Sequence, residues 1–310
     1  MTPAVLLKAR PTPAQLADRL REPVPDGLEL YLDTVDLASE QAMDGVVANL
    51  DACGLPSDFV LLVEGPIRSL DGQFFDLTRD SEADRELTRR LIDLSKRIGA
   101  VGANVHAIAP DRDPAALTLK NRERLLQQAL GPTRFFADRA LGAGIVPTIE
   151  NMPPILRMRE SAFFYSAIGM PPQDLVRLCE AVPGVRVILD VAHTQLYLNV
   201  RRGVEEDVAD EDIGPLRRFV AEAPGADSFE DYIAVLGGTL MTSHVANAGG
   251  LLGEALPYSE GELDLDPLMR HLAQRVRYLV TETLEPDNDR AIFMREAQAR
   301  IAAALRALGR

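Results

Sequence analysis

The chain has 310 residues, enough to bury a large core as one or two domains or as a single α/β barrel, an architecture that takes about 250 residues. Its 46% hydrophobic and 26% charged content is ordinary for a globular protein, and a net charge of −14 argues against long nucleic acid or an anionic membrane as a partner. Two cysteines, Cys53 and Cys179, make neither a disulfide framework nor a thiolate metal site, and no apolar run is long enough for a signal core or a membrane span, so a soluble cytoplasmic protein is expected.

Strand-like and amphipathic helical segments alternate along the chain. The first strand is read at Ala4–Ala9, followed by a helix over 13–20 in which Leu16 and Leu20 share a face. A second strand at 27–33 and a helix at 41–53 lead to a third strand at 59–64. Ser81, with Asp84 three residues on, has the spacing of an N-cap, and Leu87, Leu91, Leu94 and Ile98 form the apolar stripe of the helix behind it. The fourth strand is 99–106. A long helical region at 119–141, with a break expected at Gly131-Pro132, precedes the fifth strand at 145–150, where Pro147 is awkward for a central ladder.

Pro171-Pro172 opens a helix that Pro183-Gly184 stops. The sixth strand, Val185-Arg-Val-Ile-Leu-Asp190, follows. The next interval is the longest, with an acid-rich run at 205–212, read as a solvated loop, and a short helix near Phe229–Leu236. A seventh strand at 239–244, a glycine-rich loop at 248–253, a helix near 265–275, an eighth strand at 277–282 and a final helix at 290–308 complete the chain. Eight strands, each followed by a helix and joined by right-handed crossovers, can close on themselves. No composition shift divides them. The expectation is one (β/α)8 TIM barrel spanning residues 1–310.

In such a barrel, chemistry belongs at the C-terminal strand ends. Here those ends read Asp33, Glu64, His106, Glu150, Asp190, His244 and Glu282, and three of the four histidines (His106, His193, His244) lie at or just past them. A carboxylate that ends a buried apolar strand needs a partner. Glu150, Asp190, His244 and Glu282 come from strands five to eight, neighbours around the wall. Three carboxylates and one imidazole suit one divalent ion: Mn, Co, Mg or Zn. His193 lies three residues past Asp190, so strand alternation puts it on the other face unless the chain has already turned; it is read as a substrate contact or as a residue that supports the metal ligands from behind. Glu64 and His106 either hold substrate or frame a second metal position. Each residue also has a plain structural alternative: a solvated loop acid, or a hydrogen-bonded core histidine.

Ile149-Glu150-Asn151, Asp190-Val-Ala-His193, His244, Glu260-Gly-Glu-Leu-Asp264 and Val280-Thr-Glu282-Thr together resemble the xylose-isomerase-like barrel superfamily, which includes sugar isomerases and epimerases, inosose dehydratases and endonuclease IV. The resemblance implies that Glu150, Asp190, His244 and Glu282 are metal ligands. The chain also departs from its relatives. Leu156 stands where ketose 3-epimerases usually carry an acid, and Gly250 where they carry an arginine. The third strand ends in Glu64 where endonuclease IV has a histidine, and no Asp-x-His pair follows His244.

The expected function is therefore metal-dependent isomerisation or epimerisation of a small sugar, keto-sugar or polyol, with Glu150 and Glu282 exchanging the proton and Glu64, His106 and His193 holding substrate. The alternatives are cyclitol dehydration, an endonuclease-IV-like phosphodiesterase, and a ligand-binding barrel without turnover. The loop at 248–253 is a weak phosphate-cradle candidate, since it has no basic residue. The chain has no Trp, so Phe163, Phe164, Tyr165 and Tyr258 are the aromatic residues expected in loops at the mouth. Loops at 152–170 and 191–212 are expected to form a lid, with self-association through them left open as a route to a homo-oligomer.

Overall fold

The computed structural model describes residues 2–157, 163–206, 208 and 212–308. Eight parallel strands close into a barrel in chain order: β1 (Ala4–Ala9), β2 (Gly27–Tyr31), β3 (Val60–Glu64), β4 (Gly102–His106), β5 (Val146–Glu150), β6 (Arg186–Asp190), β7 (Leu240–Val245) and β8 (Tyr278–Thr281), with β8 pairing back onto β1. Around them run α1 (Pro13–Arg19), α2 (Glu40–Asp51), α3 (Glu82–Arg97), α4 (Leu119–Gly142), α5 (Pro172–Ala181), α6 (Val191–Arg201), α7 (Gly214–Glu222), α8 (Phe229–Leu236), α9 (Leu265–Leu272) and α10 (Ile292–Leu308). The single-barrel expectation holds, and Ser81 caps α3 through the Asp84 amide as its spacing predicts. No helix among the described residues is long and apolar enough to cross a membrane.

Side-chain alternation along the strands accounts for most of both cores, β7 departing from it at a register shift between Leu240 and Thr242. Outward residues such as Leu7, Leu28, Leu30, Val63, Ile149, Leu189 and Leu279 pack under the helices and are fully buried. Inward, Leu6, Leu62, Met241 and Val280 form a separate apolar plug. Three of these plug residues lie two positions before Lys8, Glu64 and Glu282, so one strand face closes the barrel floor and presents charge at its mouth. Gly102 makes room for the plug: a Cβ there would stand 3.0 Å from a Leu62 methyl and 3.3 Å from the Met241 methyl.

Several local expectations are corrected. α4 runs unbroken through Gly131-Pro132. Its apolar face (Leu125, Leu126, Ala129, Phe136, Ala140) continues in register on both sides of the proline, so burial outweighs the lost hydrogen bond. Pro132→Ala should therefore stabilise the protein by about 1–2 kcal/mol, the helix-interior cost of proline less its benefit in the unfolded chain. Urea denaturation would show this as a higher midpoint at unchanged slope. Pro147 is likewise accommodated in β5, opposite Ala103, where the Thr148 hydroxyl donates to the Ala103 carbonyl at 2.9 Å.

The expected lid loops are also largely structured. Residues Phe163–Ser166 form a strand of a small three-stranded sheet with Pro110–Asp111 and Leu156–Arg157. Residues 191–201 are helix α6. Residues 158–162 of the expected lid, and half of the acid-rich run (207 and 209–211), lie outside the described residues. Within that run, the Glu206 carboxylate accepts from the Leu251 amide.

Candidate metal centre

The site is built from the ends of neighbouring strands. His244 pairs in register with Asp190 and His106 with Glu150, whereas Glu150 pairs with Ile188 and His244 with Val280, so Asp190 and Glu282 each stand two positions further along their strands. Glu150, Asp190, His244 and Glu282 each offer a ligand atom within 4.8 Å of the others. His244 Nδ1 stands 2.7 Å from Glu282 Oε2, 3.4 Å from Glu150 Oε1 and 3.9 Å from Asp190 Oδ2. Glu150, Asp190 and His244 are buried, while Glu282 keeps 28% of its side chain open to the barrel mouth.

Neither His244 nitrogen nor Glu282 Oε2 has a hydrogen bond of proper geometry, although all three atoms are buried. Three carboxylates and an imidazole crowded together with orphaned donor atoms are what one divalent cation would satisfy, so the donor set fits a metal ion. The opposite edge of the His244 ring faces Glu29 on β2, with Nε2 and Oε2 2.7 Å apart. A carboxylate there favours a proton on Nε2, so that with an ion bound Nδ1 would be the nitrogen that faces the three carboxylates.

The neighbouring residues hold this arrangement. Asn104 Nδ2 donates to Glu150 Oε2 at 2.6 Å. Asn151 Oδ1 accepts from the Asp190 amide at 2.6 Å, and its Nδ2 donates to the Asp190 carbonyl at 3.1 Å. Asp190 is also the N-cap of α6: the His193 amide donates to its Oδ1 at 2.6 Å. The chain thus turns into a helix immediately after Asp190, which meets the condition under which His193 reaches the site. The His193 ring is held by an Nδ1 contact of 2.8 Å to the Asn151 carbonyl oxygen, and its Nε2 lies 3.9 Å from Glu254.

The charges are strongly coupled. Burial pushes the Glu150 carboxyl up, but the neighbouring His244 and His106 outweigh it and hold it at about 2. Burial likewise works against the ionised form of Glu282, yet Lys8 and His244 hold its carboxyl well below the ordinary range. Burial raises Asp190 to about 6, the His193 charge opposing it. For His193, burial is outweighed by Asp190, Glu254 and Glu150, which lift the imidazole to about 9. Without an ion, therefore, both glutamates are ionised at neutral pH.

Glu64 and His106 sit beside this cluster, with His106 Nε2 3.6 Å from Glu64 Oε1 and 4.0 Å from Glu150 Oε2. Asp33 does not join them. It caps a short 3-10 helix (Thr34–Leu37) and pairs with Arg10 at 3.4 Å, because the chain leaves the barrel wall after Tyr31.

Strand-end reading missed Lys8, Glu29, Asn104 and Glu254. Lys8 bridges Glu64 and Glu282. The signal for Lys8 and Glu29 was present: each is a charge inside an apolar strand, at the inward parity set by Leu6 and Tyr31, and a buried charge needs a partner.

The cluster opens into a cavity of about 560 Å3 lined by Lys8, Tyr31, His106, His193 and Glu254 among others. Its aromatic wall is Tyr31. Of the residues expected at the mouth, Tyr165 is fully buried, Phe164 packs edge-on against Phe74 at 4.6 Å, and the Tyr258 hydroxyl is taken up by Asp266 at 3.0 Å. The glycine-rich segment is a hairpin of Asn247–Gly249 and Gly253–Leu256. Its Gly250 and Leu251 amides already donate to Glu262 and Glu206, so they are not free for a phosphate.

A family model described as xylose isomerase-like TIM barrel matches residues 23–308. No curated protein sequence matches the chain. Among solved structures, a 3-keto-D-glucoside 4-epimerase from E. coli in its apo form is 16% identical, with a TM-score of 0.62 over 98% of this chain and 99% of that one. A D-tagatose 3-epimerase-like protein is 13% identical, with a TM-score of 0.64 over 99% and 100%. A family 2 AP endonuclease from Brucella melitensis is 14% identical, with a TM-score of 0.60 over 95% and 98%. At these identities the likeness shows the fold alone.

Proposed function

We propose a divalent-metal-dependent isomerase or epimerase of a small sugar, keto-sugar or polyol, on the premise that the chain belongs to the xylose isomerase-like TIM barrel family. The observation that carries this reading is the convergence of Glu150, Asp190, His244 and Glu282 at the base of a cavity of about 560 Å3. That volume falls in the range of small-molecule pockets, roughly 300–1,000 Å3, and is far too small for a folded macromolecule.

When bound, the ion supplies Lewis acidity, polarising a substrate carbonyl and so acidifying the adjacent carbon. The protein's own groups do the rest. Glu150 and Glu282 both line the cavity and project from β5 and the end of β8, separated around the wall. An ionised carboxylate on one side of a bound carbon can remove its proton, and the carboxyl on the other side, once it has taken up a proton from solvent, can deliver that proton to the opposite face. His193, fixed by Asn151 and Asp190, points Nε2 at the cavity, and His106 lies between Glu64 and Glu150; both can bind hydroxyls. Tyr31 offers a flat apolar wall.

The test is a panel of ketoses, inososes and their phosphates, assayed with added Mn2+. One member should be isomerised or epimerised, with solvent deuterium appearing at a single carbon. Chelation should abolish that activity, with recovery on adding back Mn2+, Co2+ or Zn2+. A protein that purifies and dialyses to no stoichiometric divalent ion, or that turns over undiminished in chelator, would overturn the proposal.

A further inference from the structure

We propose that the Lys8 ammonium takes the place of a second metal ion, so that the site holds one divalent ion per chain rather than two. The inference rests on the metal centre proposed above and concerns what lies beside it. Besides the four-residue cluster, two more sets of ligand atoms among the described residues lie within 4.8 Å of one another: Glu64, His106 and Glu150, and Glu29, Glu64 and His244. Both contain Glu64, so a second ion at either depends on that carboxylate.

Glu64 is already ion-paired, although its Oε2, like Glu282 Oε2, has no hydrogen bond of proper geometry. Lys8 Nζ stands 2.5 Å from Glu64 Oε2 and also contacts Glu282 Oε1. Its side chain is 9% exposed and runs along the cavity wall, with Nζ 5.6 Å from the centre of the Tyr31 ring. A metal bound through Glu64 would lie within a few ångströms of this ammonium, in a buried setting where repulsion between a single and a double positive charge is weakly screened. An ammonium is a compact point charge that donates up to three hydrogen bonds, and here it spans two carboxylates on opposite sides of β1. Five carboxylates, Glu29, Glu64, Glu150, Asp190 and Glu282, gather at this end of the barrel beside His106, His193 and His244. Lys8 supplies further positive charge where Glu64 and Glu282 stand, and it is part of the covalent chain.

The experiment is metal stoichiometry of the full chain, by equilibrium dialysis against Zn2+ and elemental analysis. The wild type should hold one ion per chain, Lys8→Met should hold two, and Lys8→Met/Glu64→Gln should return to one. A Lys8→Met protein that stays at one ion, or a wild type that holds two, would overturn the inference. Should Lys8→Met fail to fold, wild type and Glu64→Gln decide it: both should bind a single ion, with affinities within about threefold of each other. A fall from two ions to one between those proteins would overturn it. A wild type that binds none overturns the metal centre itself, an outcome distinct from the one-against-two comparison.

Discussion

Glu150→Gln should leave a folded protein whose turnover has dropped by at least on the order of 10^3-fold, within the range lost with a general base, and whose metal affinity is weakened. The geometry leaves the amide no good orientation. Asn104 Nδ2 donates to Glu150 Oε2 at 2.6 Å, so a glutamine must keep its carbonyl oxygen there. Its NH2 then points to the Oε1 side, where His244 Nδ1 lies 3.4 Å away and the ion would bind. The opposite flip sets two donors against each other. Either way a ligand and a proton acceptor are lost while side-chain volume is kept. Stability should fall somewhat, since against the effect of burial His244 and His106 hold this carboxyl at about 2 and the folded chain therefore favours its ionised form at neutral pH. Steady-state kinetics, metal analysis and a thermal melt on one preparation would separate these effects. Undiminished kcat/KM would refute the role of Glu150.

Asp174→Ala should destabilise the fold by about 3–5 kcal/mol, the cost of stranding a buried charge. Asp174, at the start of α5, is fully buried; it pairs with Arg122 from α4 and accepts from the Gly169 amide at 3.0 Å. Gly169 is itself constrained, with φ at +85° and a Cβ position only 2.0 Å from the Ala107 carbonyl oxygen. One carboxylate thus ties α4 to α5 and to the segment entering α5. Its loss leaves the buried Arg122 guanidinium uncompensated. Arg122→Met/Asp174→Leu should recover most of the loss, because an apolar pair of similar volume carries no desolvation cost.

The same pair fixes a pH dependence. Burial raises the Asp174 carboxyl from 3.8 to about 6 against the pull of Arg122. The folded chain therefore keeps a proton that the unfolded chain has already lost, and this group's contribution to stability is present below about pH 4 and fades as pH rises to about 6. Two pKa units correspond to on the order of 3 kcal/mol. Unfolding free energies from urea melts of wild type and Asp174→Asn, measured at pH 4.5 and 7, should diverge by about 2 kcal/mol, since pH 4.5 already lies above the unfolded value. Parallel free energies would show that Asp174 titrates normally.

The barrel was legible in the sequence because its signals are local. Each strand is a short apolar run closed by a polar residue, each helix an apolar stripe with a cap, and burial follows these patterns within a residue or two at most strand starts. Glu150, Asp190, His244 and Glu282 were legible for the same reason: a charge at the end of a buried strand is conspicuous wherever the chain goes next. Pro132 misled because a helix breaker is also a local signal, whereas the packed face that overrides it is not.

What tertiary structure alone decided is which charges meet. Lys8 reaches Glu64 across β2, and Glu29 backs His244 from the far side of the barrel, contacts set by closure and stagger rather than by spacing along the chain. His193 enters the site only because the backbone becomes helical at Asp190, and Asp33 leaves it because the chain departs from the wall after Tyr31. Period-two alternation fixes the face on which a side chain stands; the closed cylinder fixes its height and its neighbours, and at the distances found here height and neighbours determine the electrostatics.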